Sequence, residues 1–160
     1  MTEALQAYID ATERSIDQIR DMISVEQEKR QALLAQDMEQ LENVLQRQQA
    51  MLMQTENLEK KRLAAQETAG FAATMTGAAI LSAVTDPADK AALSDVFTRL
   101  GDTAQELQTL NKTAMDIANM NVKIMERLTR STEEKKAVVY KAGGQKFGGQ
   151  TGGRSFLEEI

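Results

Sequence analysis

Cysteine, histidine and tryptophan are absent from this chain, proline occurs once, and aromatic residues make up only 4% of its 160 residues. Each shortage excludes something. Without cysteine there is no disulfide framework and no thiol nucleophile. Without histidine the commonest general base and the commonest metal ligand are both missing. No apolar run approaches the roughly 18 residues that would read as a membrane-spanning helix, and no opening run has the pattern of a signal peptide. No basic stripe is present, so nucleic acid is not an expected partner. Net charge is −5, and the first 69 residues alone carry thirteen acidic and eight basic side chains. Catalytic, cofactor-binding and metal-binding residues are all read as none. Paired carboxylates such as Glu133–Glu134 and Glu158–Glu159 read as solvated surface. The reading is of a cytoplasmic protein without membrane insertion.

What is present is the composition of helices: alanine, leucine, glutamine, glutamate and methionine, with few β-branched runs. A first helix, about residues 2–35, carries Leu5, Ile9, Thr12, Ile16, Ile19 and Ile23 at alternating steps of four and three. Its stripe fades through Glu26, Gln27, Glu28, Lys29 and Arg30, which suggests that this end projects beyond the shared core. Asp37 followed by Gln40 fits a capping box and marks a turn. The alternative is one continuous rod. A second helix, about 37–69, carries Leu41, Val44, Leu45, Met51, Leu52 and Leu58. A small-residue connection follows, with a short helix at about 77–84 that Thr76 can cap.

The most secure helix start is Asp86-Pro87. The aspartate caps, and proline occupies the first helical position, where its missing N–H costs nothing. From there to about Tyr140 no proline occurs, and Gly101 is the one glycine. Such a helix would be roughly 80 Å long and reads as the spine of a bundle. Its seam runs through Leu93, Phe97, Leu100, Ala104, Leu107, Ala114, Ala118, Met125 and Leu128. Val96, Leu110, Ile117, Ile124 and Val138 flank it, and Asn111 and Asn121 interrupt it. An asparagine on an apolar seam reads either as a device that fixes helix register or as a contact to a partner's backbone. Met115, Met120 and Met125 put apolar atoms on more than one face, more than one core-facing stripe can hold. A re-packable methionine surface for partners is the reading. The expected architecture is all-α: an elongated antiparallel helical hairpin packed on one long C-terminal helix. A flexible Gly-rich tail, 141–160, ends the chain. Three Gly-Gly pairs disfavour helix there, while Phe147, Phe156, Leu157 and Ile160 are apolar enough to fold onto a partner or back onto the bundle.

Several features together resemble one family. They are the segment Glu28-Lys29-Arg30-Gln31-Ala32-Leu33-Leu34-Ala35-Gln36-Asp37 at a hairpin turn, the small-residue connection, the Pro-capped long helix with asparagine on its seam, and Tyr140 followed by a Gly-rich tail. This order resembles the FlgN family of flagellar export chaperones. That family often carries an Asn-x-x-Asn pair in its last helix. The nearest equivalent here is Asn119 or Asn121, with Ala118 in one of the places. The resemblance implies a cytoplasmic, non-enzymatic chaperone that binds the helical termini of hook-filament junction proteins, prevents their premature assembly and delivers them to the type III export apparatus. It also implies that partners bind at the last helix and tail. The expected partner-binding residues are Leu110, Ile117, Met120, Asn121, Ile124, Leu128, Val138, Val139, Tyr140, Phe147 and Phe156, with the change from core to partner face near Leu110. A structural coiled-coil scaffold that dimerises, and a related secretion chaperone with another client, are the competing readings. A weak homodimer is compatible with the chaperone reading, whereas an obligate dimer with no spare face would favour the scaffold.

Overall fold

Four helices account for the regular structure in the computed structural model, which describes the backbone of residues 1–140 and the side chains of residues 1–130: α1 (Glu3–Ala35), α2 (Met38–Thr68), α3 (Gly77–Ala83) and α4 (Pro87–Tyr140). No strand occurs among the described residues. The glycine-rich segment 141–160 lies outside them.

Local chemistry sets the helix ends. Thr2, Asp37 and Thr76 accept the backbone N–H three residues on, at 3.2, 3.1 and 3.2 Å. Asp86 accepts from the Asp89 N–H at 2.9 Å. Each bond satisfies one of the amides that a helix start leaves without a partner. The turn between α1 and α2 closes without glycine. Gln36 takes a left-handed conformation (φ 54°), and the N–H groups of Gln36 and Asp37 return to the carbonyls of Leu33 and Ala32 at 3.3 and 3.0 Å. The end of α2 repeats this closure with Gly70 (φ 93°), where Phe71 N–H donates to Gln66 at 3.1 Å. Both are Schellman closures. Gln36 bears the left-handed strain that a glycine would avoid.

Helix order then fixes direction. α1 and α2 are antiparallel: the Tyr8 hydroxyl donates to Gln66 Oε1 at 3.1 Å near one end, and Leu33 packs with Leu41 near the other. α4 returns parallel to α1. Leu5 shares a core cluster with Leu93, Arg99 makes a bidentate ion pair with Glu13, and Asn121 Nδ2 donates to the Leu33 carbonyl at 2.9 Å. The Arg99 hydrogen bonds hold the Glu13 carboxyl below its ordinary range, and the pairing pushes the guanidinium up.

The spine is therefore α1 and not α4. The α1 backbone runs close beside both α2 and α4, whereas α2 and α4 do not approach one another that closely. Two apolar clusters lie at its ends. One gathers Leu5, Tyr8, Ile9, Ile80 and Leu93, with Phe71 and Phe97 packed on the Tyr8 ring. Burial pushes the Tyr8 phenol up despite the opposing Arg62. Gly77 lets α3 lie against α4, since a Cβ there would meet the Phe97 ring at 3.2 Å. The other cluster gathers Ala32, Leu33, Leu41, Ala114, Ile117 and Ala118.

The C-terminal half of α1 corrects the expectation that it projects from the core. Glu26 and Lys29 are both buried, and Lys29 has no exposed surface. Lys29 Nζ donates to Glu26 Oε1 at 2.8 Å and to Gln48 Oε1 at 3.4 Å, while Gln48 Nε2 donates to Glu26 Oε1 at 2.5 Å. A helix flanked on two sides buries more than one stripe, so charged positions are enclosed there and survive by pairing.

Candidate interaction site at the free end of the long helix

The site arises from a mismatch of lengths. α1 and α4 start together and run the same way, but α1 stops at Ala35 and α4 continues to Tyr140. The Asn121 bond to Leu33 marks the last polar tie between them among the described residues. From Asn121 to Tyr140 remains roughly 28 Å of helix at 1.5 Å per residue.

The apolar pattern does not stop where α1 stops. Ala114, Ile117, Ala118 and Asn121 face the bundle, and Ile124, Met125 and Leu128 fall on the same face by helical spacing. Burial changes abruptly along this row. Ile117 is 9% exposed, whereas Ile124, Met125 and Leu128 are 41%, 59% and 59% exposed. Met120, on the adjoining flank, is 52% exposed. At the α1–α2 turn Leu34 and Met38 are also exposed, at 59% and 65%. An exposed apolar row of this kind on a helix that is packed a few turns earlier is characteristic of a surface that another molecule covers.

The residues expected from sequence divide accordingly. Ile117 lies in the packed interior, and Leu110 is half-buried. Asn121 is half-buried and committed to Leu33, which fits the register-fixing role. Met120, Ile124 and Leu128 are exposed together. Val138, Val139 and Tyr140 fall within the last turns of α4, and their side chains lie beyond those described. Phe147 and Phe156 lie outside the described residues. Asn111, placed on the seam by spacing, is exposed. The step from interior to exposed face comes at Asn121, eleven positions after Leu110.

Leu34, which spacing reads as briefly restoring the α1 stripe, and Met38 are not among the residues expected to meet a partner. Leu34 stands one position off the α1 stripe, next to the buried Leu33, and Met38 follows the capping Asp37. An apolar residue on each side of a polar turn was the available signal. Asp37, Glu39 and Glu42 are exposed on the α2 side of the turn, and Arg30 is exposed in the last turns of α1.

Among the described residues no group of three or more histidine, cysteine, aspartate or glutamate side chains could hold a metal ion. No helix of the described residues is long and apolar enough to cross a membrane.

Comparison with known proteins adds one finding. A family model described as FlgN protein matches residues 1–146. No curated protein and no solved structure matches the chain.

Proposed function

The chain belongs to the FlgN family of flagellar export chaperones, and on that premise we propose that its exposed apolar end holds the helical termini of hook-filament junction proteins. It keeps them from assembling prematurely and delivers them, in the cytoplasm, to the type III export apparatus. The family is one of chaperones and not of enzymes. One observation carries the reading: the apolar face of α4 continues past Asn121, but the helix that covers it does not.

Junction subunits with unpaired helical ends present apolar stripes of their own. A helix laid along Ile124, Met125 and Leu128 would exclude water from both stripes, the helix-in-groove mode of recognition. Each large side chain fully covered in this way contributes on the order of 1.5–3 kcal/mol. Methionine on such a face adapts to more than one client sequence. In this proposal Val138, Val139, Tyr140, Phe147 and Phe156 extend the contact, and Ile117 belongs to the core.

The test is a calorimetric titration of the purified chain with a peptide corresponding to the C-terminal helix of a hook-filament junction protein. Saturable one-to-one binding is expected. Met120→Gln with Ile124→Gln should weaken it about tenfold, a loss of about 1.4 kcal/mol, with an unchanged circular dichroism spectrum. No binding by the wild-type chain would contradict the proposal. An obligate dimer in sedimentation that hides Ile124 and Met125 would favour the scaffold reading instead.

A further inference from the structure

The hinge between α1 and α2 is two residues long, Gln36 and Asp37, and it closes against local preference. Gln36 holds a left-handed conformation (φ 54°), which costs energy in a residue with a Cβ. Neither glycine nor proline occurs in the first 69 residues, so no helix breaker stands between Glu3 and Thr68. Straightening the turn also completes a hydrogen-bond ladder. The last carbonyls of α1 and the first amides of α2 lack partners within their own helices, and in one continuous helix they bond to one another. Leu34 and Met38, 59% and 65% exposed on either side of the turn, would stand four positions apart on one helical face. Leu41 and Leu45 follow at steps of three and four, so an apolar stripe would cross the hinge unbroken.

A single chain cannot straighten this hinge without pulling α2 off α1. Two chains can. α1 is the element on which both α2 and α4 pack, and Gln36-Asp37 is its covalent tie to them. We propose that the chain pairs with a second copy of itself by exchanging α1. Each α1 packs on the α2 and α4 of the other copy, and Glu3 to Thr68 of each copy forms one rod of roughly 100 Å. The closed chain's contacts are re-made between copies: Tyr8 with Gln66, Glu13 with Arg99, Glu26 and Lys29 with Gln48, and Leu33 with Asn121. Past Leu33 the rod keeps the direction that α1 shares with α4. It therefore runs beside the row of Ile124, Met125 and Leu128 that α1 leaves open.

Asp37 sets the balance between the two forms. The pairs across the hairpin are symmetric about it: Leu33 and Leu41 lie four positions to either side, Glu26 and Gln48 eleven, Tyr8 and Gln66 twenty-nine. The two-fold axis of the exchanged dimer passes at this residue, and the two Asp37 carboxylates come together there. In the closed chain the same side chain caps α2 by accepting the Gln40 N–H at 3.1 Å. Capping in one form and like-charge repulsion in the other both favour the closed chain. The exchanged dimer is the form that high concentration populates. The inference stands whether or not the chain binds a client, because it rests on the hinge and on interfaces the closed chain already has.

The test uses the full chain, refolded from urea over a range of concentrations and separated by size. A dimer that grows with concentration and returns slowly to monomer after dilution is expected. Asp37→Ala removes both the cap and the paired charges, and should tighten the dimer at least tenfold. Gln36→Gly relieves the closed turn and penalises the rod, and should weaken the dimer at least tenfold. Circular dichroism should show wild-type helical content in both. Cross-linking reads the architecture. The chain has no native cysteine, and Glu28 and Arg47 form an ion pair across the hairpin. Glu28→Cys and Arg47→Cys are made in separate chains, refolded together and treated with a short bismaleimide. The dimer should cross-link between chains at these positions and the monomer should not, while a chain carrying both substitutions cross-links within itself. If the wild-type chain and Asp37→Ala both stay monomeric throughout, the proposal is overturned. A dimer lacking the cross-link between chains overturns it too, as two closed chains side by side, and so does a dimer indifferent to both hinge variants.

Discussion

Lys29 has no exposed surface, and its ammonium group sits 2.8 Å from one Glu26 oxygen, with Gln48 closing the group from α2. The other Glu26 oxygen, Oε2, is buried without a hydrogen-bond partner among the described residues. Sequence spacing reads these residues as the faded end of a stripe because charge normally marks solvent. What it cannot show is that α1 is flanked on both sides, which encloses positions that a helix with one neighbour would expose. Removing one member should be worse than removing both. Glu26→Leu leaves Lys29 buried without its carboxylate and should cost about 3–5 kcal/mol. Glu26→Leu combined with Lys29→Met should recover most of that loss, since an apolar pair of similar volume needs no partner. Urea unfolding of the two variants checks this, and equal losses would contradict it.

The helices themselves were legible because their ends have local chemistry. Asp86 before Pro87, Thr76 before Gly77 and the Asp37–Gln40 spacing each name a cap, and each makes the expected hydrogen bond. The α1–α2 turn was less visible, because neither glycine nor proline marks it. Gln36 supplies the left-handed residue instead. Gln36→Gly should therefore stabilise the chain by roughly 1 kcal/mol, the cost of a left-handed conformation in a residue with a Cβ. Thermal unfolding measures it, and an unchanged or lower Tm would show that the Gln36 side chain compensates for its backbone.

At the scale of the molecule, a hairpin of two helices is packed on a longer third, and the longer helix outlasts its cover. The long helix and its apolar row were readable from periodicity. Where the row changes role was not, because that point depends on register between α1 and α4. Leu5 beside Leu93 and Leu33 beside Asn121 fix the register, and a stripe alone carries no such information. The choice of Leu110 as the boundary treated Ile117 as partner-facing, whereas Ile117 packs with Leu33 and Leu41. Asn121 was noticed as a polar break in the seam, and it is the residue that ties the two helices where α1 ends.

One pair of substitutions tests the division of α4 most directly. Ile117→Glu and Ile124→Glu place the same charge on the same face, two helical turns apart. Circular dichroism melting and peptide titration are measured on both. Ile117→Glu should lower stability by several kcal/mol, because a charge enters the packed interior. Ile124→Glu should melt like the wild-type chain and lose client binding about tenfold or more. Equal destabilisation by both, or normal client binding by Ile124→Glu, would contradict the account.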